Sequence, residues 1–230
     1  MPDVSRVVIP LRSFDAGKSR LSPVLDVSAR QALIEAMLTD VLHAVSGSGA
    51  TDVVIAACGD HAVSLARTLG VRVISDETPG GGLNAALTRV LATGSYTGQS
   101  VMIVAADLPR ITADDLAALT AGPASVVIAP THDDGTAVLL QRPQAQITLA
   151  YGAKSARAHA LNATAAGCDV TSVRRDGLLY DLDTPVDLAT ALRDVDEPSL
   201  VAAPLGRHTQ TVLDTMPRAA MNAATLPPQT

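Results

Sequence analysis

Short β-branched runs that alternate with longer helical stretches constrain this chain more than any other feature. The runs are RVVIPL (6–11), DVVIAAC (52–58), VRVIS (71–75), SVMIVAA (100–106), SVVIAP (125–130) and TAVLLQ (136–141). Their apolar positions are consecutive rather than alternating, which predicts strands covered on both faces. Ser28, with Gln31 three residues on, has capping-box spacing and is expected to open a helix through ARQALIEAMLTDVLHAV. A second helix is expected over about 61–69, stopped by Gly70, and a third over about 82–93. Thr112 with Asp115 caps a fourth, and Thr184, Pro185 and Asp187 start a last one with proline in its first turn. Such alternation predicts an α/β sandwich around a largely parallel sheet. The segment from 125 to 180 breaks the alternation, so a mixed sheet is expected there. Residues 1–197 are read as one domain. The tail from Pro198 to Thr230 holds five of the 14 prolines and no sustained periodicity, and is expected to be irregular or flexible.

Composition excludes several function classes. A hydrophobic content of 47% is incompatible with a disordered chain, and a net charge of −6 argues against a general nucleic-acid binder. Cys58 and Cys168 are far apart, and the histidines form no pair at metal-ligand spacing on one helix, so neither a disulfide framework nor a zinc site is expected. The first residues lack a signal-peptide apolar core, and no apolar run reaches the ~18 residues of a membrane span. A cytoplasmic protein with small-molecule partners, rather than nucleic acid or membrane, is the expectation.

Against this acidic background stands PLRSFDAGKSRLSP (10–23), which gathers Arg12, Lys18 and Arg20 around Ser19. It reads either as a site for something anionic or as a solvated basic loop. It is not a P-loop: that motif needs glycine five residues before Gly17, where Arg12 stands, and Pro23 interrupts the helix that should follow. GGGLNA (80–85) fits a dinucleotide fingerprint, but DETPG separates it from the preceding strand. What remains is physical. Gly81 and Gly82 before a helix N-terminus let backbone N–H groups approach a ligand, and Asn84 offers a bidentate amide suited to a purine edge.

Three aspartates stand where α/β sheets place their chemistry. Asp107 ends VMIVAAD, the carboxyl end of a buried strand. Asp181 and Asp183 lie in LLYDLDTP, where two-residue spacing in an extended segment points both the same way. Converging carboxylates repel unless a cation joins them, and Mg²⁺ prefers such oxygen ligands. Asp183 alone reads equally as a helix-start residue.

The ordered set IPLRSFDAGKSRL, GGGLNAAL, AADLP, APTHDDGTAVLL, AYGAKSARAHA and LLYDLDTPVDL, spanning about 6–193, resembles the 2-phospho-L-lactate guanylyltransferase family of coenzyme F420 biosynthesis, including its phosphoenolpyruvate branch. The resemblance implies a GT-A-like (nucleotide-diphospho-sugar transferase-like) fold, a three-layer αβα sandwich with a mixed, mostly parallel sheet. It implies GTP as co-substrate, Mg²⁺ as cofactor, and a phosphorylated three-carbon acid as acceptor. Carried over by position, Asp107 and Asp183, with Asp181, look like metal ligands, and Arg12, Lys18 and Arg20 like the clamp on the leaving pyrophosphate. Thr136, Gly152 and Ser155 look like the cradle for the acceptor's phosphate and carboxylate. The resemblance leaves a homodimer open and implies that the product passes to a downstream transferase. Two departures fall on the acceptor side: Ala137 where relatives often have Asn, and Lys154-Ser155-Ala156 where they often have Gly-Ser-Phe. The Arg-for-Lys and Ala bias suits a GC-rich genome such as an actinobacterium's, where the resemblance points to phosphoenolpyruvate.

Overall fold

The computed structural model describes residues 4, 6–11, 18–75, 82–93, 99–143, 145–196 and 203–216. In chain order these form β1 (Arg6–Leu11), α1 (Val27–Gly47), β2 (Val53–Ala57), α2 (Asp60–Thr68), β3 (Arg72–Ser75), α3 (Gly82–Thr93), β4 (Val101–Val104), α4 (Ala113–Thr120), β5 (Val126–Pro130), β6 (Thr136–Gln141), α5 (Ser155–Ala165), β7 (Val170–Ser172), α6 (Pro185–Asp196) and α7 (Arg207–Thr215). All six expected strands are present. The one added, β7, is a three-residue edge strand.

The sheet has seven strands in the order β3-β2-β1-β4-β6-β5-β7. Pairings β1–β2, β1–β4, β2–β3 and β5–β7 are parallel, while β6 runs antiparallel between β4 and β5. The mixed character therefore falls in the segment where the sequence stops alternating. Successive strand residues face opposite layers. Val7, Ile9, Met102 and Val104 pack under α1, α2 and α4, while Val8, Ile103, Ile128 and Leu139 pack against α3 and α5. These are the three layers expected.

Two local expectations are corrected. The N-cap of α1 is Asp26, not Ser28: Asp26 is extended (φ −68°, ψ 175°), and its carboxylate accepts from the Ala29 amide at 2.7 Å. Asp is among the strongest N-cap residues, and it leaves Ser28 inside the first turn. Thr112 and Asp115, in contrast, form the expected reciprocal capping box.

The tail is also not irregular throughout, because residues 207–215 form α7. Helix α1 is apolar on two sides. Ile34, Leu38, Val41 and Val45 face the sheet, whereas Leu33 and Met37 face outward and are covered by α6 and α7 through Leu188, Leu192, Leu213 and Met216. The start of α7 is pinned by buried Asp40 of α1, whose carboxylate accepts from the amides of His208 (3.0 Å) and Thr209 (2.8 Å). This satisfies helix-start donors that water would otherwise have to reach. The remainder of the tail lies outside the described residues, apart from 203–206 and Met216.

Candidate functional site

The site forms at the carboxyl ends of β1 and β4, where a cavity of about 350 Å³ is lined by Lys18, Arg20, Asp107, Thr136, Tyr151 and Asp183 among others. Asp107 follows β4 through Ala105-Ala106, as an open α/β sheet predicts for a ligand-facing edge. Asp183 arrives from the other end of the chain, just before α6. The amide of Leu182 donates to the Asp107 carbonyl at 3.3 Å, so the two acidic segments are stitched together through the backbone. Asp187 accepts from the Asp183 and Thr184 amides at 3.1 and 2.7 Å. Capping α6 thus falls to Asp187 with Thr184, which frees the Asp183 carboxylate for the cavity.

One cation holds both carboxylates. Lys18 Nζ lies 2.6 Å from Asp107 Oδ2 and 3.3 Å from Asp183 Oδ1, and Arg20 Nη1 lies 3.0 Å from Asp183 Oδ2. Lys18 is buried and adopts a left-handed backbone, φ 56°, immediately before a short 3-10 turn over Ser19–Leu21. Burial alone pushes its ammonium pKa down, yet the charges of Asp107 and Asp183 outweigh this and the net shift is upward. The resemblance placed Lys18 and Arg20 on phosphates; in this structure they are bonded to the carboxylates instead. Arg12 and Gly81 lie outside the described residues.

Asp181 differs from Asp183. Burial, aided by the charge of Asp107, raises its carboxyl pKa to about 6. Its side lines a neighbouring cavity of about 460 Å³ with His132 and Tyr180 rather than the one holding Lys18. Asp181 and Asp183, expected to aim at one point, thus line different cavities. Gly82 opens α3 at φ 63°, a conformation that favours glycine, with nothing within 4 Å of where a Cβ would stand.

Asn84 is bidentate, but not in the way expected of a base reader. Its Nδ2 donates to the Tyr151 carbonyl (2.9 Å), and its Oδ1 accepts from the Tyr151 amide (2.7 Å). The amide therefore clasps the loop beside Gly152 to the start of α3, a task invisible without the 67-residue separation being closed. Thr136 and Ser155, expected together, are together: Oγ1 and Oγ lie 2.8 Å apart, both residues buried. His159 completes this group, with Nδ1 3.1 Å from Thr136 Oγ1. Sequence reasoning missed His159. The signal was present as Ser155 and His159, four apart on one helix face.

The arrangement sets two carboxylates around a positive charge in a cavity whose wall also holds Thr136, one of a hydroxyl pair near a helix start. It is suited to gripping polyanions with a divalent ion and orienting an oxygen nucleophile. No helix among the described residues is long and apolar enough to cross a membrane.

Comparison with known proteins shows the family. A family described as "Guanylyl transferase CofC like" matches residues 5–193. A phosphoenolpyruvate guanylyltransferase from Sphaerobacter thermophilus is 35% identical over 190 residues, covering 79% of this chain and 89% of that protein. A 3-phospho-D-glycerate guanylyltransferase from Phenylobacterium zucineum is 32% identical, covering 91% of this chain and 95% of the other. A 2-phospho-L-lactate guanylyltransferase from Halomicrobium mukohataei is 36% identical, covering 81% and 85%. Among solved structures, a nucleotide-diphospho-sugar transferase candidate from Desulfovibrio desulfuricans G20 superposes with TM-score 0.73 at 16% identity, covering 96% of this chain and 98% of that one. A nucleotidyl transferase from Methanothermobacter thermautotrophicus superposes with TM-score 0.59 at 15% identity, covering 84% and 98%. The structural likeness is one of fold, and the sequence likeness is one of family. With nearly all of the folded region matched, this chain belongs to the guanylyl transferase CofC-like family of nucleotidyltransferases.

Proposed function

We propose that this chain transfers GMP from GTP to phosphoenolpyruvate, releasing pyrophosphate and forming enolpyruvyl-diphospho-guanosine, a step of coenzyme F420 biosynthesis. The observation that carries the reading is the convergence of Asp107 and Asp183 on one ammonium, in a cavity whose wall also holds Thr136. The Lys18 ammonium stands in for a cation there, and an all-oxygen donor set is what Mg²⁺ takes. Asp107 and Asp183, with Asp181 nearby, are the residues fitted to hold that ion. When bound, Mg²⁺ supplies charge to offset what develops on the α-phosphate and the departing pyrophosphate.

The rest falls to the chain. A phosphate oxygen of the acceptor attacks the α-phosphorus as the bond to the β-phosphate oxygen breaks. That oxygen is already anionic, so no protein nucleophile is needed, and the task is positioning and charge stabilisation. Lys18 and Arg20 exchange their carboxylate partners for β- and γ-phosphate oxygens, joined by Arg12; arginine gives the forked grip and lysine a point charge. Backbone N–H groups at Gly81 and Gly82 approach the nucleotide. Thr136, Gly152 and Ser155 receive the acid.

Phosphoenolpyruvate is favoured over 2-phospho-L-lactate and 3-phosphoglycerate by the Sphaerobacter thermophilus relative and by a phosphoenolpyruvate guanylyltransferase from Mycolicibacterium gilvum, 33% identical over 193 residues. The test is incubation of GTP and, separately, each of the other three nucleoside triphosphates with Mg²⁺ against each of the three acids, with products identified by mass and pyrophosphate measured. Preference for another of the four nucleoside triphosphates, or no pyrophosphate with any acid, overturns the reading; turnover with another of the acids overturns only the choice of acceptor.

A further inference from the structure

His159 is fully buried, one helical turn beyond Ser155, and holds its place by hydrogen bonds at both ring nitrogens. Its Nε2 lies 2.9 Å from the backbone nitrogen of Ala150. A backbone amide can only donate, so Nε2 accepts and carries no proton. The ring proton therefore sits on Nδ1 and is donated to Thr136 Oγ1, 3.1 Å away. Burial pushes the imidazole pKa down to about 4, in keeping with a neutral ring.

This fixes the polarity of the hydroxyl pair. Thr136 Oγ1 and Ser155 Oγ, 2.8 Å apart, share one hydrogen bond between them, and no other partner of either hydroxyl is recorded among the described residues. The pair owns two hydrogens. One is spent in the inner bond, whichever hydroxyl gives it. The other cannot turn back to His159, because Nδ1 is itself a donor. It must face outward, and when Ser155 gives the inner bond that free hydrogen belongs to Thr136, which lines the cavity. Were the imidazole the opposite tautomer, the pair could donate to it and offer the cavity only lone pairs, which repel anionic oxygen.

We propose that His159 is a positioning residue for the acceptor, held by Ala150 as the Nδ1–H tautomer so that the Thr136–Ser155 pair keeps one O–H free to be donated by Thr136 to an anionic oxygen of the phosphorylated acid. The inference rests on the reading of Thr136, Gly152 and Ser155 as the acceptor cradle. The same ring anchors the cradle's loop. Ala150 is bonded to it, and the Tyr151 ring packs edge-on at 4.8 Å, while Asn84 grips the Tyr151 backbone from the other side.

The test is steady-state kinetics with GTP, Mg²⁺ and the accepted acid on Ser155→Ala, His159→Leu, His159→Asn and His159→Gln, each checked for folding by circular dichroism and melting. Without the ring that fixes the hydroxyl pair and anchors Ala150, His159→Leu is expected to raise the acceptor KM roughly tenfold, with the GTP KM little changed. His159→Asn, whose amide can place a donor near the Nδ1 position, recovers most of that loss. His159→Gln, which reaches toward Ala150 instead, does not. Nitrogen-15 spectra of the histidine rings, with the His159 signals assigned as those absent in folded His159→Asn, should show that ring neutral and protonated at Nδ1 in the wild-type protein. An Nε2–H tautomer overturns the proposal, and so does a folded His159→Leu with an unchanged acceptor KM while Ser155→Ala raises it. An unchanged acceptor KM in Ser155→Ala overturns the cradle reading itself, a distinct failure that takes the proposal with it.

Discussion

The chain has only two lysines, and the two loops that carry them make a natural pair. Lys18 and Lys154 are both left-handed, at φ 56° and 55°, and each immediately precedes a helical segment that begins with serine. That backbone costs a non-glycine residue about 1–2 kcal/mol, so neither loop is a relaxed one. Beyond the backbone they diverge. Lys18 is buried against Asp107 and Asp183, whereas Lys154 is exposed and no ion pair of its side chain is recorded among the described residues. Local geometry is therefore the same, and long-range partners decide what each charge does. One ammonium is stored inside a ring of carboxylates; the other stands at the start of α5 beside Ser155, available to an arriving anion.

The hardest way to break this comparison is to remove the carboxylate that Lys18 touches most closely. Asp107→Asn is expected to lower turnover by about a thousandfold or more, on the scale of losing a principal electrostatic stabiliser, with the fold retained by circular dichroism. A variant keeping most of its guanylyl transfer ends the metal role assigned to Asp107. Lys18→Ala is expected to cost about a hundredfold in kcat/KM for GTP. It also lowers the melting temperature, since Asp107 loses its cation and Asp183 keeps only the exposed Arg20. Added Mg²⁺ should restore melting but not turnover, which separates the ammonium's structural part from its part on the phosphates.

On the other loop, Lys154→Ala should raise the acceptor KM by about tenfold and leave melting and the GTP KM nearly unchanged, since an exposed, unpaired charge contributes little to stability. Equal damage to both substrates would make the two lysines equivalent and erase the contrast. The smallest effect concerns acid. His159 is neutral when folded down to about pH 4, while the unfolded imidazole takes up a proton near its ordinary 6.5. The unfolded state binds more protons across that window, so this group's contribution falls progressively as pH drops from 6.5 to 4 and is full above it. Melting temperatures over this range should decline less steeply in His159→Asn than in the wild-type protein.

The same contrast explains what the sequence could reveal. Strands β1, β2, β4, β5 and β6 were legible because each is a continuous apolar run largely buried on both faces, edge strand β3 was legible from its β-branched pair Val73-Ile74 although none of its residues is buried, and Asp107 was legible because it follows one of the buried runs. The Thr112–Asp115 cap was legible because both partners lie within one turn. Placing Asp183 in one site with Lys18 needed the order of motifs, as no local rule joins residues 165 apart, and their direct ion pair was not foreseen. Helix α7 was missed because what makes it helical is the outward apolar side of α1, some 170 residues earlier. Asn84 was assigned to a ligand because its true partner, the Tyr151 backbone, lies across the fold. His159 was passed over as a lone histidine because its role exists only once β6 brings Thr136 beside it.

Met37 belongs at once to the wall of the reaction cavity and to the apolar patch that α7 covers. Anyone shortening this chain after Asp196 for crystallography or expression would uncover that patch and loosen the wall it shares. Such a trimmed protein should therefore lose affinity for its substrates as well as solubility, although none of the described residues after Asp196 lines the reaction cavity.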